Sequence, residues 1–278
     1  MADADRLSPH ARRAADTYGA AADHYRRQSL AFWARYGTQT VARLPLRPGH
    51  AVLDLCCGAG ASALPAARAV GPAGHVVAID VAEPLLRLGR AEAAREGLSN
   101  VGFSCADATR TGLPGLAFDA VICVFGVFFA ADMAAFAAEM WRMVRPGGVL
   151  AITTWGPELF EPANSVFWAS VRAIEPALFK AFNPWDEITT PAALADLFAR
   201  AGIEGGAIAA QEGRSGLERP DDFWDIVLGS GYRATADAMT RQQQTVLRAR
   251  VCAELRSAQV TELTTNVLFG TVHRQRHG

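Results

Sequence analysis

Short apolar runs alternate with longer amphipathic stretches through the first half of the chain. The apolar runs predict strands over 51–55, 75–80, 101–105, 118–123 and 148–154, and the amphipathic stretches predict helices over 60–70, 83–96 and 132–144. Strands that alternate with helices are typical of a parallel sheet covered by helices on both faces. The pattern therefore predicts an α/β fold with a doubly wound, mostly parallel sheet.

The N-terminal segment reads differently from this alternation. Residues 18–43 show helical periodicity, and the polar, alanine-rich residues up to about Arg13 are expected to be frayed. We therefore predict an N-terminal helical cap over residues 1–45, followed by a ligand-binding core over residues 46–154.

The second half of the chain leaves the regular pattern after Thr154. Residues 155–205 are rich in Trp, Phe and Pro and predict a helical lid insertion with a helix over 191–201. Residues 206–278 predict the C-terminal part of the core with a helical elaboration. In that part we expect a strand near 206–212, helices near 220–230 and 235–257, and a last strand over 266–273.

The most informative stretch is a buried strand that runs into a glycine loop, VLDLCCGAGAS over 52–62. Gly58 and Gly60 remove two β-carbons where the backbone must bend sharply and where a ligand can come close. The next strand, VVAID over 76–80, ends in Asp80, which is placed to accept hydrogen bonds from ribose hydroxyls. These features predict a ligand that contains adenosine.

The glycines alone leave the identity of that ligand open. Gly58, Gly60 and Ala63 also satisfy the Gly/Ala form of the dinucleotide fingerprint, so NAD remains an alternative. Asp54 favours a different ligand, because a carboxylate just before the loop would repel a pyrophosphate. The same carboxylate would suit a ligand that carries an ammonium and a sulfonium.

At this point the sequence resembles the class I S-adenosylmethionine-dependent methyltransferases. The DLCCGxG run resembles the first motif of that family, and the later motifs are matched in order by FSCADA over 103–108, FDAVICVFGV over 118–127 and RMVRPGGVLAI over 142–152. The resemblance covers residues 18–154 and is closest to the ubiquinone/menaquinone C-methyltransferase-like branch and to small-molecule methyltransferases of secondary metabolism. It implies a Rossmann-like sheet of seven strands, in which the last strand is antiparallel and belongs to a terminal hairpin.

The resemblance also implies which residues bind the methyl donor. Asp54 would act on the ammonium directly or through water, Asp80 on the ribose hydroxyls and Asp107 on the adenine amino group. Asp107 can instead be a turn or helix-capping acid. The full set of expected donor-binding residues is Tyr18, Tyr25, Asp54, Gly58, Gly60, Asp80, Val81, Asp107, Ala108, Val124 and Phe125.

Methyl transfer from a sulfonium is an in-line displacement, in which the protein aligns the reactants and excludes water. A general base is therefore the least visible part of the site. His24 lies near the two tyrosines and is our candidate catalytic residue, although such a histidine is more often a solvated surface group. The aromatic lid favours an apolar or aromatic acceptor, but the same aromatics can form the core of the lid itself.

Composition and charge limit the kinds of partner and the cellular compartment that we expect for this protein. The chain has 278 residues and a net charge of −1, which gives no electrostatic case for nucleic acid or an anionic membrane. The opening residues lack the pattern of a signal peptide and no apolar run is long enough to span a bilayer, so we expect a cytoplasmic protein. Five cysteines without ligand spacing predict no metal site and a reducing compartment. Relatives often pair, so the resemblance also implies a possible homodimer.

The function we expect is methyl transfer from S-adenosylmethionine to carbon or oxygen of a small, largely apolar or aromatic metabolite. One alternative keeps the donor-binding fold with a non-methylating activity such as cyclisation. The other alternative is an NAD-dependent oxidoreductase, which Asp54 and the later motifs disfavour.

Overall fold

The structure is a computed structural model that describes residues 7–276. Its strands are β1 (Ala51–Leu55), β2 (His75–Asp80), β3 (Val101–Cys105), β4 (Phe118–Val124), β5 (Val144–Trp155), β6 (Ala207–Gln211), β7 (Arg214–Gly216), β8 (Glu262–Thr264) and β9 (Val267–His273). Its helices are α1 (Pro9–Ala21), α2 (Phe32–Ala42), α3 (Ala63–Val70), α4 (Glu83–Arg95), α5 (Met133–Met143), α6 (Ala163–Ile174), α7 (Pro191–Arg200), α8 (Asp222–Leu228), α9 (Arg233–Asp237) and α10 (Arg241–Ser257).

Seven strands form one sheet in the order β3-β2-β1-β4-β5-β9-β6. The first five strands in that order pair in parallel, whereas β9 runs antiparallel to both β5 and β6. The order reverses at β1, which puts the carboxyl ends of β1 and β4 beside a crevice. The predicted doubly wound, Rossmann-like sheet with an antiparallel last strand is confirmed.

The central strand β1 shows how the sequence sets the two faces of the sheet. Leu53 and Leu55 pack into one buried cluster, and Val52 packs into the cluster on the other face together with residues of α3. Side chains alternate between the faces of a strand, so Asp54 points to the same side as Val52, toward α3. Asp54 is 0% exposed.

The N-terminal segment corrects one prediction. Helix α1 begins at Pro9, and the side chain of Ser8 accepts a hydrogen bond from the Ala11 amide as its N-cap, so residues 9–13 are helical rather than frayed. Residues 1–6 of the predicted frayed stretch lie outside the described residues. The periodicity predicted over 18–43 is divided, because α1 ends at Ala21 and a 3₁₀ turn over Gln28–Leu30 precedes α2.

Above the sheet lies a layer of helices that come from distant parts of the chain. Helix α6 packs against α10, α8 packs against the 3₁₀ turn over Gln28–Leu30, and α1 contacts α9. In contrast, α7 packs on the sheet, where the Phe198 ring lies against Gly270 of β9. The helix predicted over 235–257 is two helices, because Thr240 forms a capping box with Gln243 that starts α10.

Candidate functional site

A cavity of about 310 Å³ opens at the carboxyl ends of β1, β2 and β4, which is where ligands bind in open α/β sheets. Its volume falls in the range of small-molecule sites, roughly 300–1,000 Å³. Of the residues predicted to bind a donor, those that line the cavity are Tyr18, Tyr25, Gly58, Asp80, Val81, Asp107, Ala108, Val124 and Phe125. Asp54, Gly60 and His24 do not line it.

The two glycines of the loop have different roles. Gly58 has a φ of +53° and lines the cavity, and a Cβ at this position would lie 3.2 Å from the Tyr25 hydroxyl oxygen. Gly60 has a φ of +87° but faces inward, where a Cβ would lie 3.1 Å from Leu64 and 3.2 Å from Phe103. Gly58 is therefore the glycine of this loop that borders the cavity, and Gly60 provides the turn and its packing.

Asp80 is held rigidly at the end of β2. Its Oδ2 accepts from the Gly58 amide and its Oδ1 accepts from the Ala82 amide, both at 2.8 Å. Burial raises the pKa of Asp80, and these backbone donors oppose the rise. Each carboxylate oxygen has a second lone pair, so the group can still accept from two vicinal hydroxyls.

Asp107 follows β3 and is 7% exposed. Its Oδ1 accepts from the Thr109 amide at 2.9 Å and from the Thr109 hydroxyl at 2.7 Å, so it caps the 3₁₀ turn Ala108–Arg110. Its Oδ2 accepts from the Ser8 amide at 3.3 Å. Burial raises the pKa of Asp107, but the hydrogen bonds from Thr109 and Ser8 outweigh it and hold the pKa below its ordinary value. The capping role is thus present, and Oδ2 faces the start of α1.

The two predicted tyrosines cover the cavity from the N-terminal side. Tyr18 of α1 meets Phe129 edge-on with ring centroids 5.3 Å apart, and Tyr25 stacks parallel to Trp33 at 5.9 Å. Burial is the main cause that raises the pKa of both hydroxyls. Both tyrosines therefore stay neutral and can donate a hydrogen bond at neutral pH.

Phe125 ends the cavity wall that continues from β4. It adopts a φ of +53°, which is uncommon for a bulky residue, and its ring stacks on Trp155 at a centroid distance of 3.9 Å. Trp33 meets the same ring at 5.4 Å. This aromatic contact holds the strained backbone beside the cavity.

Asp54 lies beneath the cavity rather than on its wall, as the alternation along β1 requires. Its Oδ2 accepts from the Ser62 hydroxyl at 2.8 Å, and burial raises its pKa to about 7. Ser62 lines the cavity, so it separates Asp54 from any ligand there. Of the two expected modes, direct contact and contact through water, this arrangement gives Asp54 no direct contact with a ligand in the cavity, because Asp54 does not line it.

His24 is also placed differently from our expectation. It lies in the turn after α1, and its Nδ1 is 3.3 Å from Asp225 Oδ1 of α8. The pairing ties the turn to the helical layer and keeps the imidazole out of the cavity. The geometry gives no support to a catalytic role for His24.

Several cavity residues were missed by the sequence reading. They are Ser8, His10, Ala11 and Ala14 from the start of α1, together with Trp33, Ser62, Arg110, Asp132 and Phe136. The Ser8-Pro9 pair is a helix-start signal that could have extended α1 over the site. The others carry no signal in one sequence, because only the fold brings their elements to the cavity.

The sequence and the fold match known proteins. Residues 52–148 match the family model described as a methyltransferase domain. The nocamycin O-methyltransferase of Saccharothrix syringae is 32% identical over 241 residues, which cover 81% of this chain and 82% of that protein. A demethylmenaquinone methyltransferase of Listeria monocytogenes is 30% identical over 55% of this chain and 65% of its own length.

Solved structures show the same fold. A Bacillus halodurans protein described as a methyltransferase superposes with a TM-score of 0.57 at 15% identity, covering 86% of this chain and 98% of its own. The sheet order matches the Rossmann-like fold of the class I methyltransferases. The chain belongs to the methyltransferase family and is an S-adenosylmethionine-dependent enzyme. Among residues 7–276, none of the helices is long and apolar enough to cross a bilayer.

Proposed function

We propose that this protein transfers a methyl group from S-adenosylmethionine to an oxygen or carbon atom of a small, largely apolar or aromatic metabolite. The observation that carries the proposal is the convergence of nine predicted donor-binding residues on one cavity. These residues come from α1, the turn after it, and the ends of four strands. Chance placement of a structural acid or glycine would not bring them to one wall.

The residues on that wall fit the donor. Gly58 leaves room for the donor's amino-acid part, because a Cβ there would crowd Tyr25. Asp80 keeps free lone pairs for the two ribose hydroxyls, and Asp107 Oδ2 accepts from the Ser8 amide at 3.3 Å, a long hydrogen bond that an adenine amino group can replace. When bound, S-adenosylmethionine supplies an electrophilic methyl group on a sulfonium.

The protein contributes alignment and exclusion of water. Helix α1 covers the cavity through Ala11, Ala14 and Tyr18, and Val124 and Phe125 give it an apolar wall near the end of β4. A dry site strengthens the attraction between the sulfonium and an electron-rich acceptor atom. The neutral Tyr18 and Tyr25 hydroxyls can orient such an atom by donating hydrogen bonds.

The relatives support oxygen as the first acceptor atom to test. The nocamycin enzyme is named an O-methyltransferase and matches over 82% of its length, whereas the demethylmenaquinone enzyme matches over 65% of its own. Phe129 and Phe136 line the cavity and support an apolar or aromatic acceptor. The lid aromatics Phe167 and Trp168 instead pack against Tyr232 inside the helical layer.

A transfer assay tests this proposal. The purified protein is incubated with methyl-labelled S-adenosylmethionine and a panel of apolar phenols, carboxylic acids and quinols, and label is measured in the organic phase. We expect label in at least one oxygen acceptor, and none with the Asp80→Ala variant. Donor binding without transfer to any acceptor would instead favour a non-methylating activity such as cyclisation.

We also infer that the protein works in the cytoplasm, and we propose a homodimer as the oligomeric state to test, because the resemblance implies that relatives often pair. All five cysteines are free thiols, which fits a reducing compartment. Light scattering after gel filtration measures the oligomeric state, and a mass near the 29.6 kDa of one chain would contradict the dimer.

A further inference from the structure

An indole N–H without a hydrogen-bond partner belongs to the wall of the cavity. Trp33 of α2 is 8% exposed, and its Nε1 is buried and unpaired among residues 7–276. Other unpaired buried atoms in that range include Asp54 Oδ1 and Trp168 Nε1, but of the described side chains that carry such an atom, Trp33 is the one that lines the cavity. An unpaired buried donor is costly, so Trp33 indicates a partner that the chain itself does not supply.

Trp33 lies away from the acids that we assign to the adenosine of the donor. Asp80 and Asp107 follow β2 and β3, whereas the Trp33 ring meets Phe125, just after β4, at a centroid distance of 5.4 Å. The strands are ordered β3-β2-β1-β4, so β1 separates the two groups. A ligand group that pairs with Trp33 is therefore on the β4 side of the cavity, away from the adenine end.

The β4 side of the cavity offers hydrogen-bond donors and apolar rings. Tyr25 stacks parallel to Trp33 at 5.9 Å, and Tyr18 meets Phe129 edge-on. Burial raises the pKa of both tyrosine hydroxyls, so they stay protonated at neutral pH. The two hydroxyls and the indole N–H can all donate to a negatively charged oxygen, and none of them readily takes up a proton.

The carboxylates and the histidine that line the cavity are placed or engaged elsewhere. Asp80 and Asp107 each accept backbone amides and are assigned to the donor. His10 is exposed in α1, two residues from Ser8, whose amide donates to Asp107 on the β3 side. Asp132 is exposed and caps the start of α5. Within the described part of the chain, these groups give the β4 side no buried general base.

The cysteine thiols and the arginine of the cavity are no better placed to take a proton. A hydrogen bond with Cys123 and burial raise the pKa of Cys56, and burial raises the pKa of Cys57, so both thiols stay neutral. Arg110 is an exposed cation in the turn after Asp107. The β4 side can therefore stabilise an anion but is not built to create one.

An anionic acceptor suits this wall once the methyl donor is bound. The sulfonium is positive, and an ionised acceptor oxygen is negative. Both charges shrink in the transition state as the carbon–oxygen bond forms and the carbon–sulfur bond breaks. Apolar rings, which solvate separated charges poorly, therefore favour the transition state over the separated ions.

We propose that the acceptor binds as an oxygen anion, namely a carboxylate or the anion of an acidic enol or phenol, and that the Trp33 indole N–H holds this oxygen. The acceptor loses its proton to solvent before it binds. Its oxygen then attacks the methyl carbon, the carbon–sulfur bond breaks, and the products are a neutral methyl ester or ether and S-adenosylhomocysteine. This inference rests on the proposed function, because it takes methyl transfer to be the reaction.

The donor's own carboxylate is the competing partner for the indole. Ala61 and Ser62 line the cavity just before α3, and the amides at a helix start favour an anion. That carboxylate thus has a place at the glycine loop, which leaves Trp33 for the acceptor.

Two pairs of acceptors test the charge. Transfer from saturating labelled S-adenosylmethionine is measured at mildly alkaline pH with benzoic acid against benzyl alcohol and with 4-nitrophenol against phenol. The first member of each pair is largely ionised at that pH, and the second is neutral. A general base contributes about 10²–10⁴-fold, so without one we expect kcat/KM to be at least about a hundredfold higher for the ionised member.

A pair of matched variants tests the indole. Trp33→Phe keeps an aromatic ring and removes the N–H, and we expect kcat/KM for benzoate and 4-nitrophenolate to fall by at least about tenfold. Affinity for S-adenosylhomocysteine should stay within about twofold. The control Trp168→Phe removes an indole N–H that is also buried and unpaired but does not line the cavity, and it should change neither quantity.

An absorption measurement detects the anion without turnover. The protein is saturated with sinefungin, a donor analogue with an ammonium group in place of the sulfonium methyl, and 4-nitrophenol is added at mildly acidic pH. We expect the bound probe to show the phenolate band while the free probe is mostly neutral, and we expect Trp33→Phe to lose that band.

Equal transfer to neutral and ionised acceptors, or equal effects of Trp33→Phe and Trp168→Phe, would overturn the inference and leave methyl transfer standing. If Trp33→Phe weakens S-adenosylhomocysteine but not 5′-methylthioadenosine, which lacks the amino-acid part, the N–H belongs to the donor carboxylate and the inference is wrong. A phenolate band that depends on Trp33, without labelled product from any acceptor, would support the anion site and contradict the proposed function. Absence of both the band and the product would overturn both.

Discussion

Asp54, Asp80 and Asp107 lie at or just beyond the carboxyl ends of three neighbouring strands, β1, β2 and β3. Each carboxylate nevertheless has a different environment. Asp54 points away from the cavity, Asp80 takes two backbone amides, and Asp107 caps a 3₁₀ turn. The positions of all three acids were readable from the motifs. Their partners were not, because Ser62, Ala82 and Ser8 reach them only through the folded backbone.

At this scale the ribose role of Asp80 is directly testable. Asp80→Ala removes a carboxylate that accepts charge-assisted hydrogen bonds, each worth about 1.5–3 kcal/mol. We expect S-adenosylhomocysteine affinity, measured by calorimetry, to fall by at least about tenfold. The control Asp237→Ala removes an exposed partner of Arg233 and should bind normally. Unchanged affinity in Asp80→Ala would rule out the ribose role.

The burial of Asp54 leads to a second prediction, which concerns how the stability of the folded protein depends on pH. Its pKa is raised by burial from 3.8 to about 7, so its stabilising contribution is complete below its unfolded pKa and is lost as pH rises through about 7. Asp54→Asn cannot ionise and avoids that loss. In ligand-free thermal unfolding we expect the variant to exceed wild type by on the order of 5 °C at pH 8, with the difference shrinking toward pH 5. Wild type gaining on the variant as pH rises would contradict the buried, unpaired state.

At the scale of elements, the sequence predicted the strands and helices of the sheet well because their periodicity is strong. The prediction was wrong or incomplete where only a short local signal marks the start of a helix or a strand. The Ser8-Pro9 start of α1 and the Thr240 capping box each involve a few residues inside a polar stretch. Strands β7 and β8 have three residues each, which is too short for alternation to show.

At the scale of elements, the glycine loop after β1 allows a prediction about the effect of substituting Gly58. Gly58→Ala strains a φ of +53° and pushes a Cβ to within 3.2 Å of the Tyr25 hydroxyl, on the cavity wall. We expect about 1–2 kcal/mol of lost stability together with at least tenfold weaker S-adenosylhomocysteine binding by calorimetry.

Gly97→Ala is the matched control for that variant. Gly97 has a φ of +70° with nothing within 4 Å of its Cβ position, so the substitution carries the backbone strain without a collision. It should lose similar stability and bind the ligand normally. If both variants bind equally well, the close approach at Gly58 is not part of the site.

At the scale of the whole molecule, contacts between distant segments determine which elements and side chains lie together, and the sequence alone did not predict these contacts. Helix α6 packs on α10, far along the chain, and the layer over the sheet joins the N-terminal segment to residues after 155. His24 illustrates the consequence. Sequence proximity grouped it with Tyr18 and Tyr25, but Asp225 of α8, 201 positions away, holds its imidazole.

This placement predicts a mild effect of His24→Ala. The pair is partly exposed, so its loss should cost about 1 kcal/mol or less in thermal unfolding. Affinity for S-adenosylhomocysteine should stay within twofold, because the residue does not line the cavity. A large loss of methyl transfer with normal donor binding would restore the catalytic role that the sequence suggested.

The central claim is that the crevice at the carboxyl edge of the sheet binds S-adenosylmethionine. Calorimetric titration of the purified protein with S-adenosylhomocysteine, with NAD titrated in parallel, tests it most directly. We predict saturable one-to-one binding of S-adenosylhomocysteine with micromolar affinity and no heat of binding for NAD. Binding of NAD without binding of S-adenosylhomocysteine would contradict the account.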